Sequence, residues 1–199
     1  MAKEKNWLAV VQDDGSRLEK VPSALKTAEI CLAAVQQFGL ALKYVPDDLK
    51  TAEICTAAVQ QNGEALQYVP VTLRTMELCR SAVQYRGTNL QYVPGNLKTA
   101  ELCLAAIMQE SSAFYYVPDE HKTAELCLVA VQPGGSNIRL VPDEHMTADL
   151  CLVAVKVAGM AIKLVPSKYR TEELCRAAVQ QDSKALNYVP EELQDKIMG

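Results

Sequence analysis

The sequence predicts an all-α fold, an α-solenoid of stacked 24-residue repeats in which each repeat holds a helix and a shorter helix. The dipeptide Val-Pro recurs every 24 residues from Pro22 to Pro190, with no insertion or deletion. Threonine and cysteine recur with the same period, from Thr27 to Thr171 and from Cys31 to Cys175. A period of this length is typical of solenoids, because one unit cannot bury its apolar side alone and stacked neighbours cover it.

The repeat at residues 46–69 illustrates the longer helix. Thr51 is a good N-cap, and Glu53 suits the positive end of the helix dipole. The next apolar residues fall on one stripe at helical spacing: Ile54, Cys55, Ala58 and Val59. Gly63 then predicts a left-handed residue that ends the helix.

A second, shorter helix and a turn complete each repeat. Residues 64–69 are long enough for one or two helical turns, and the following proline ends them. Proline also suits the first position of another short turn, such as residues 46–50. Each repeat is therefore expected to contain a helix of about 11 residues, a short helix and a proline-led turn.

We predict one helical-repeat domain over residues 1–199. It consists of an N-terminal capping repeat (1–22), seven full repeats (23–190) and a C-terminal cap (191–199). Trp7 stands where the other repeats have cysteine, and its larger ring is suited to covering an end of the core. The last residues form a charged final turn.

Charge and composition argue against several classes of function. The 20 basic and 24 acidic residues give a net charge of -4, which argues against nonspecific nucleic-acid binding. Since the sequence has no apolar run of roughly 18–20 residues and no secretory signal, we expect a cytoplasmic protein without membrane contact. The odd number of cysteines at a fixed spacing indicates reduced thiols rather than a disulfide scaffold.

Residues 57–70 (AAVQQNGEALQYVP), followed by a leucine three residues after the proline, carry a family resemblance. This pattern resembles a bacterial family of short α-helical repeats that is known only as a domain of unknown function. Such repeats are also similar to parts of effector proteins secreted by intracellular bacteria. The resemblance covers nearly the whole chain and implies the fold, but it implies no catalytic residue.

The cysteines are the first candidates for chemistry, since thiolates bind zinc and act as nucleophiles. Equivalent residues on stacked helices lie roughly 8–10 Å apart, too far for two thiolates to share one zinc ion or to form a disulfide. We therefore predict that the cysteines are small core residues, and we predict no metal, cofactor or catalytic site.

Three other repeated positions have both a functional and a structural interpretation. His121 and His145 could form a metal site or a pH switch, although replacement of a half-buried leucine is simpler. A series of basic residues lies three residues before a series of acidic ones. It could bind a phosphate backbone, or the two series could form a solvated charged face. The tyrosines before the Val-Pro dipeptides are suited either to stacking or to turn packing. The basic series is Lys26, Lys50, Arg74, Lys98, Lys122 and Arg170.

The best candidate for binding lies where the repeats differ. The residue after each cysteine is expected to face away from the apolar stripe, and it is leucine in three consecutive repeats. Leu104, Leu128 and Leu152, joined by Val129 and Val153, would form a contiguous apolar strip for a partner if they are exposed. Neighbouring short helices could instead cover them. In the repeats of Leu128 and Leu152, the tyrosine that precedes the Val-Pro dipeptide is replaced by Leu140 and Leu164.

Two irregularities accompany this change. Ser111 replaces the repeat glycine, and Pro133, Gly134 and Gly135 interrupt the end of the following helix. These residues are expected either to alter the local loop shape or to be neutral sequence variation at a tolerant surface.

The expected function is a non-enzymatic interaction scaffold that presents an extended helical-repeat surface to a protein or peptide partner. The alternatives are a self-associating structural repeat protein and a repeat protein that binds single-stranded RNA. Delivery into a host cell as an effector is compatible with the sequence.

Overall fold

A computed structural model describes residues 6–198, and every regular element in this range is a helix. This confirms the predicted all-α repeat solenoid. Within the described residues, nine α-helices follow one another: α1 (Trp7–Asp13), α2 (Ala28–Gln37), α3 (Ala52–Gln61), α4 (Met76–Tyr85), α5 (Ala100–Gln109), α6 (Ala124–Val131), α7 (Ala148–Val157), α8 (Glu172–Gln181) and α9 (Glu191–Met198).

The predicted short helix after each of the first eight α-helices is a six-residue 3₁₀-helix. These helices are Gly15–Lys20, Gly39–Tyr44, Gly63–Tyr68, Gly87–Tyr92, Ser111–Tyr116, Gly135–Leu140, Gly159–Leu164 and Ser183–Tyr188. The predicted proline-led turn is a three-residue 3₁₀-helix. Its copies are Ser23–Leu25, Asp47–Leu49, Val71–Leu73, Gly95–Leu97, Asp119–His121, Asp143–His145 and Ser167–Tyr169.

The chain divides into two compact units, Met1–Gln109 and Glu110–Gly199. In each unit, a six-residue 3₁₀-helix packs against the α-helix of its own repeat and against that of the next repeat. The predicted boundaries of the repeats and caps stay predictions. Residues 1–5 of the predicted N-terminal cap and Gly199 of the C-terminal cap lie outside the described residues.

The helix starts confirm the capping role of threonine. The Thr51 side chain accepts a hydrogen bond of 3.3 Å from the backbone N–H of Ile54, and Thr171 accepts one of 3.3 Å from that of Leu174. Each bond satisfies an amide of the first turn, and loss of such a cap typically costs about 1 kcal/mol. The apolar stripe behind it is buried as expected, with Cys55 and Ala58 fully inaccessible to solvent.

The prediction for Gly63 is wrong, because no glycine in residues 6–198 has a positive φ. The residue before it, Asn62, ends α3 in an extended conformation, and Gly63 begins the 3₁₀-helix instead. A side chain at Gly39 would overlap the carbonyl oxygen of Ala58 on the next α-helix. At Gly39 the absence of a side chain therefore permits close packing of backbone against backbone.

A glutamine at the end of several α-helices links neighbouring repeats, and we call it the glutamine clamp. The Gln61 Oε1 atom accepts a 2.6 Å hydrogen bond from Gly39 N, while Gln61 Nε2 donates to Gln37 O at 3.2 Å. Gln109 and Gln181 make the same pair of bonds to the preceding repeat. Tyr85 occupies this position on α4, so the clamp is missing between α3 and α4.

Removal of the glutamine clamp should lower the free energy of unfolding, and its introduction where it is missing should raise it. Gln61→Ala removes two hydrogen bonds between repeats and should lower the free energy of unfolding by about 1–2 kcal/mol. Tyr85→Gln restores the clamp toward Gly63 and should raise it by about 0.5–1.5 kcal/mol. Urea unfolding followed by circular dichroism measures both, and a Tyr85→Gln protein no more stable than the wild type would contradict the role of the clamp.

The two irregularities of the second unit belong to one local arrangement. Ser111 stands in the glycine position, and α6 ends at Val131, earlier than the ten-residue helices. The buried Asn137 side chain donates hydrogen bonds of 2.9 Å to both Ser111 O and Ala130 O. The altered loop shape predicted from Pro133 and Gly134 is therefore present, and the Asn137 amide hydrogen-bonds two backbone carbonyl groups beside it.

Candidate functional site

The candidate strip begins with the residue after each repeat cysteine. Because the cysteine lies on the buried stripe, a step of about 100° places the next residue toward the solvent side of the helix. Leu104 on α5 is 38% exposed, and Leu128 on α6 is 39% exposed. The same position is polar in three repeats, where it holds Thr56, Arg80 and Arg176, and it is the half-buried Leu32 in the first full repeat.

The second unit places the remaining strip residues on two adjacent helices. Val129 lies beside Leu128 on α6, while Leu152 and Val153 lie on α7, and these three are half-buried. Val157, one turn beyond Val153, is 38% exposed. The short helices therefore leave part of this side of the unit accessible. That these residues bind a partner stays a prediction.

Several exposed apolar side chains were not predicted from the sequence. Met108 lies one helical turn beyond Leu104 and extends the apolar surface of α5. Tyr115 is also exposed, on the 3₁₀-helix that begins the second unit. In the sequence, Met108 and Tyr115 differ from the residues at the equivalent positions of the other repeats. Such a difference does not show whether the side chain is exposed or buried.

The seven cysteines are free thiols, and all are fully buried, which confirms their predicted place in the core. Burial raises the pKa of Cys127 and of Cys151 to about 11, because the apolar surroundings disfavour the thiolate. The Cys127 thiol also lies 3.7 Å from the carbonyl oxygen of Lys122, to which it can donate. Such thiols are poor nucleophiles and poor metal ligands.

The two histidines end three-residue 3₁₀-helices and are half-buried. His145 Nε2 lies 3.6 Å from a carboxylate oxygen of the adjacent Glu144. Within residues 6–198, no group of three or more histidine, cysteine or acidic side chains is placed to hold a metal ion.

The interpretation of the basic series as a solvated face is wrong for several of its members. Lys26 Nζ donates to Tyr44 O at 2.7 Å, and Arg74 Nη1 donates to Tyr92 O at 2.6 Å, each reaching the end of the six-residue 3₁₀-helix of its own repeat. Lys50 and Lys122 pair with Asp47 and Asp119 at 2.8 and 2.7 Å. These cations therefore stabilise the carbonyl ends of the 3₁₀-helices or neutralise a carboxylate.

The tyrosines before the Val-Pro dipeptides are mostly half-buried, and their role in turn packing or in stacking stays a prediction. Tyr44, Tyr68, Tyr92 and Tyr116 are half-buried, while Tyr188 is 38% exposed.

Comparison with protein families gives one result. The family described as Domain of unknown function (DUF4116) matches residues 7–50, 27–74, 75–122 and 147–194. The chain belongs to this family. Three of the DUF4116 matches span 48 residues, or two of the 24-residue repeats described above. No curated protein and no solved structure gives a significant match.

The DUF4116 matches leave a gap at residues 123–146. This stretch contains α6 with Leu128 and Val129, the shortened helix end at Pro133, and Leu140. The candidate residues on α7 lie inside the last match. DUF4116 membership therefore accounts for the repeat and its stacking, and it assigns no function to the residues that differ.

Proposed function

We propose that this DUF4116 protein is a non-enzymatic interaction scaffold whose second unit binds a protein or peptide on the outer side of α6 and α7. The observation that carries the proposal is the exposed Leu128 at a position where Thr56 and Arg80 are polar. Val129, Leu152, Val153 and Val157 extend the apolar area around it. Clustered, partly exposed apolar side chains favour association, because a partner removes them from water.

A binding role is also supported by the state of the thiols. Within residues 6–198, a cysteine thiol recurs in the buried cores of the repeats, and burial raises the pKa of Cys127 and of Cys151 to about 11. Catalysis would require accessible groups with matched acidity. Free thiols also suit a reducing compartment, so the proposal places the protein in the bacterial cytoplasm or in the cytosol of a host cell.

The lengths of the α-helices bear on whether the described part of the chain could span a membrane. In the part of the chain that the structure describes, an α-helix has at most ten residues, too few to cross a bilayer.

Affinity capture with the immobilised protein tests the proposal. Leu128→Ser/Leu152→Ser removes the centre of the apolar surface and should reduce capture of the partner by about tenfold or more. Thr56→Ser changes the equivalent residue of α3 and serves as the matched control, with capture equal to that of the wild type. Circular dichroism should show the same helix content for all three proteins.

Light scattering separates a foreign partner from a second copy of the chain. A mass above 21.8 kDa that falls to this value in the double variant would identify the partner as another copy. A wild-type protein that stays at 21.8 kDa at high concentration and captures no protein would contradict the proposed function.

A further inference from the structure

The second unit has an open cavity at a position where other repeats carry a tyrosine. Tyrosine precedes the Val-Pro dipeptide in five repeats, at Tyr44, Tyr68, Tyr92, Tyr116 and Tyr188. In the repeat of α6 this residue is Leu140, which lacks a ring. A cavity of about 400 Å³ lies there, and Lys122, Arg139, Leu140, Val141 and Glu144 contribute to its walls.

The other repeats show what the missing ring does. The Lys43 Nζ atom lies 4.5 Å from the centre of the Tyr44 ring, a cation–π contact. The rings of Tyr115 and Tyr116 meet edge to face, with their centres 5.2 Å apart. In both cases the tyrosine ring supports the side chain of the preceding residue.

Arg139 is the residue at that preceding position beside the cavity. Its side chain is exposed, and it forms no ion pair or hydrogen bond with any side chain in residues 6–198. Because residue 140 is leucine, its own repeat offers the guanidinium no tyrosine ring. Arginine stacks on aromatic faces more readily than lysine does. The repeat therefore retains the cation and lacks the aromatic group that the cation would contact.

We propose that this cavity binds an aromatic side chain of a protein or peptide partner. The partner's ring would occupy the space that tyrosine fills in other repeats, and the Arg139 guanidinium would lie on its face. This inference rests on the proposed function and adds a named pocket and ligand class to it.

The walls of the cavity suit an uncharged ring. Leu140 is half-buried and Val141 is buried, so they offer an apolar base. The charge of Lys122 is neutralised by Asp119 at 2.7 Å. The carboxylates of Asp119 and Glu144 at the walls can accept a hydrogen bond from a phenol or an indole, and they disfavour a phosphorylated or acidic side chain. A volume of about 400 Å³ is within the usual range for small-molecule pockets.

The test is an NMR titration of the full ¹⁵N-labelled chain with N-acetyl-tyrosinamide, and with N-acetyl-leucinamide as the non-aromatic control. We expect saturable shifts of the backbone amides of Arg139, Val141 and Glu144 with the aromatic amide only. Equal shifts with the leucine amide would show a general apolar surface and would overturn the proposal.

The repeats themselves supply the variants. Leu140→Tyr introduces the residue found in five other repeats, so it should fill the cavity and remove the shifts while the helix content is unchanged. Leu164→Tyr is the same exchange at a residue outside the cavity wall, and it should leave the shifts at Arg139 and Glu144 as in the wild type. Arg139→Gln copies the residue at Gln67 and Gln91, lies on the surface, and should weaken binding roughly two- to fivefold.

Absence of saturable shifts in the wild type, or unchanged shifts in Leu140→Tyr, would reject the aromatic site. The two proposals fail separately. A partner that is lost with Leu128→Ser/Leu152→Ser but retained with both Leu140→Tyr and Arg139→Gln would leave the interaction function standing and reject the aromatic site.

Discussion

Replacement of Gly87 by alanine is expected to destabilise the protein by about 2–4 kcal/mol. The new methyl group would overlap the carbonyl oxygen of Ala106 on the next α-helix. That oxygen belongs to a helix backbone and cannot rotate away as a side chain could, so α5 would have to move from the 3₁₀-helix that it covers. The midpoint of urea unfolding, followed by circular dichroism, measures the effect.

Gly95→Ala is the matched control in the same unit. A side chain at Gly95 would meet no atom within 4 Å, and its φ is negative, so alanine can adopt the native conformation. This exchange should raise stability by about 0.4–1 kcal/mol, because alanine restricts the unfolded chain more than glycine does. Equal unfolding midpoints for the Gly87 and Gly95 variants would contradict the requirement for close packing at the repeat glycine.

The second large effect is a loss of stability at alkaline pH. Burial raises the pKa of Cys127 and of Cys151 from the ordinary value of 9.0 to about 11. Between these values the folded protein keeps two protons that the unfolded chain releases, so the free energy of unfolding falls as pH rises. Their contribution is complete below about pH 9 and is lost by about pH 11, at roughly 2–3 kcal/mol for each thiol. Burial also raises the pKa of Cys31, Cys55, Cys79 and Cys175, which adds to the trend.

Urea unfolding at several pH values from 7 to about 11 measures this slope. The double variant Cys127→Ala/Cys151→Ala is the control, since tyrosine and lysine titrate in both proteins while the two thiols titrate only in the wild type. We expect the variant to start less stable and to lose less stability with pH. Parallel curves for the two proteins would contradict the raised pKa values of these thiols.

The helices themselves follow from the sequence because their signals are local. Thr51 can cap its helix with its own hydroxyl, and the spacing of Ile54, Cys55, Ala58 and Val59 selects the buried side, whatever lies opposite. Proline at position 46 separates two 3₁₀-helices through its fixed φ. The 24-residue period then requires stacking, since each repeat has the same apolar stripe to cover.

The candidate surface is less fully specified by the sequence. The sequence shows that Leu128 is apolar where Thr56 and Arg80 are polar, but whether its side chain is exposed depends on what the neighbouring repeat places beside it. The departure at Leu140 is equally visible in the sequence. Whether a smaller residue leaves a cavity or lets its neighbours close around it depends on tertiary packing.

By itself, the sequence determined the all-α class, the repeat, the capping threonines and the buried cysteines, because each depends on the chemistry of a residue and its near neighbours along the chain. Only the tertiary structure decided why the repeat glycine is needed, where Lys26 and Arg74 donate, which glutamines join the repeats, and where a cavity remains. Each of these depends on atoms about one repeat away, whose distance is set by how closely the helices pack.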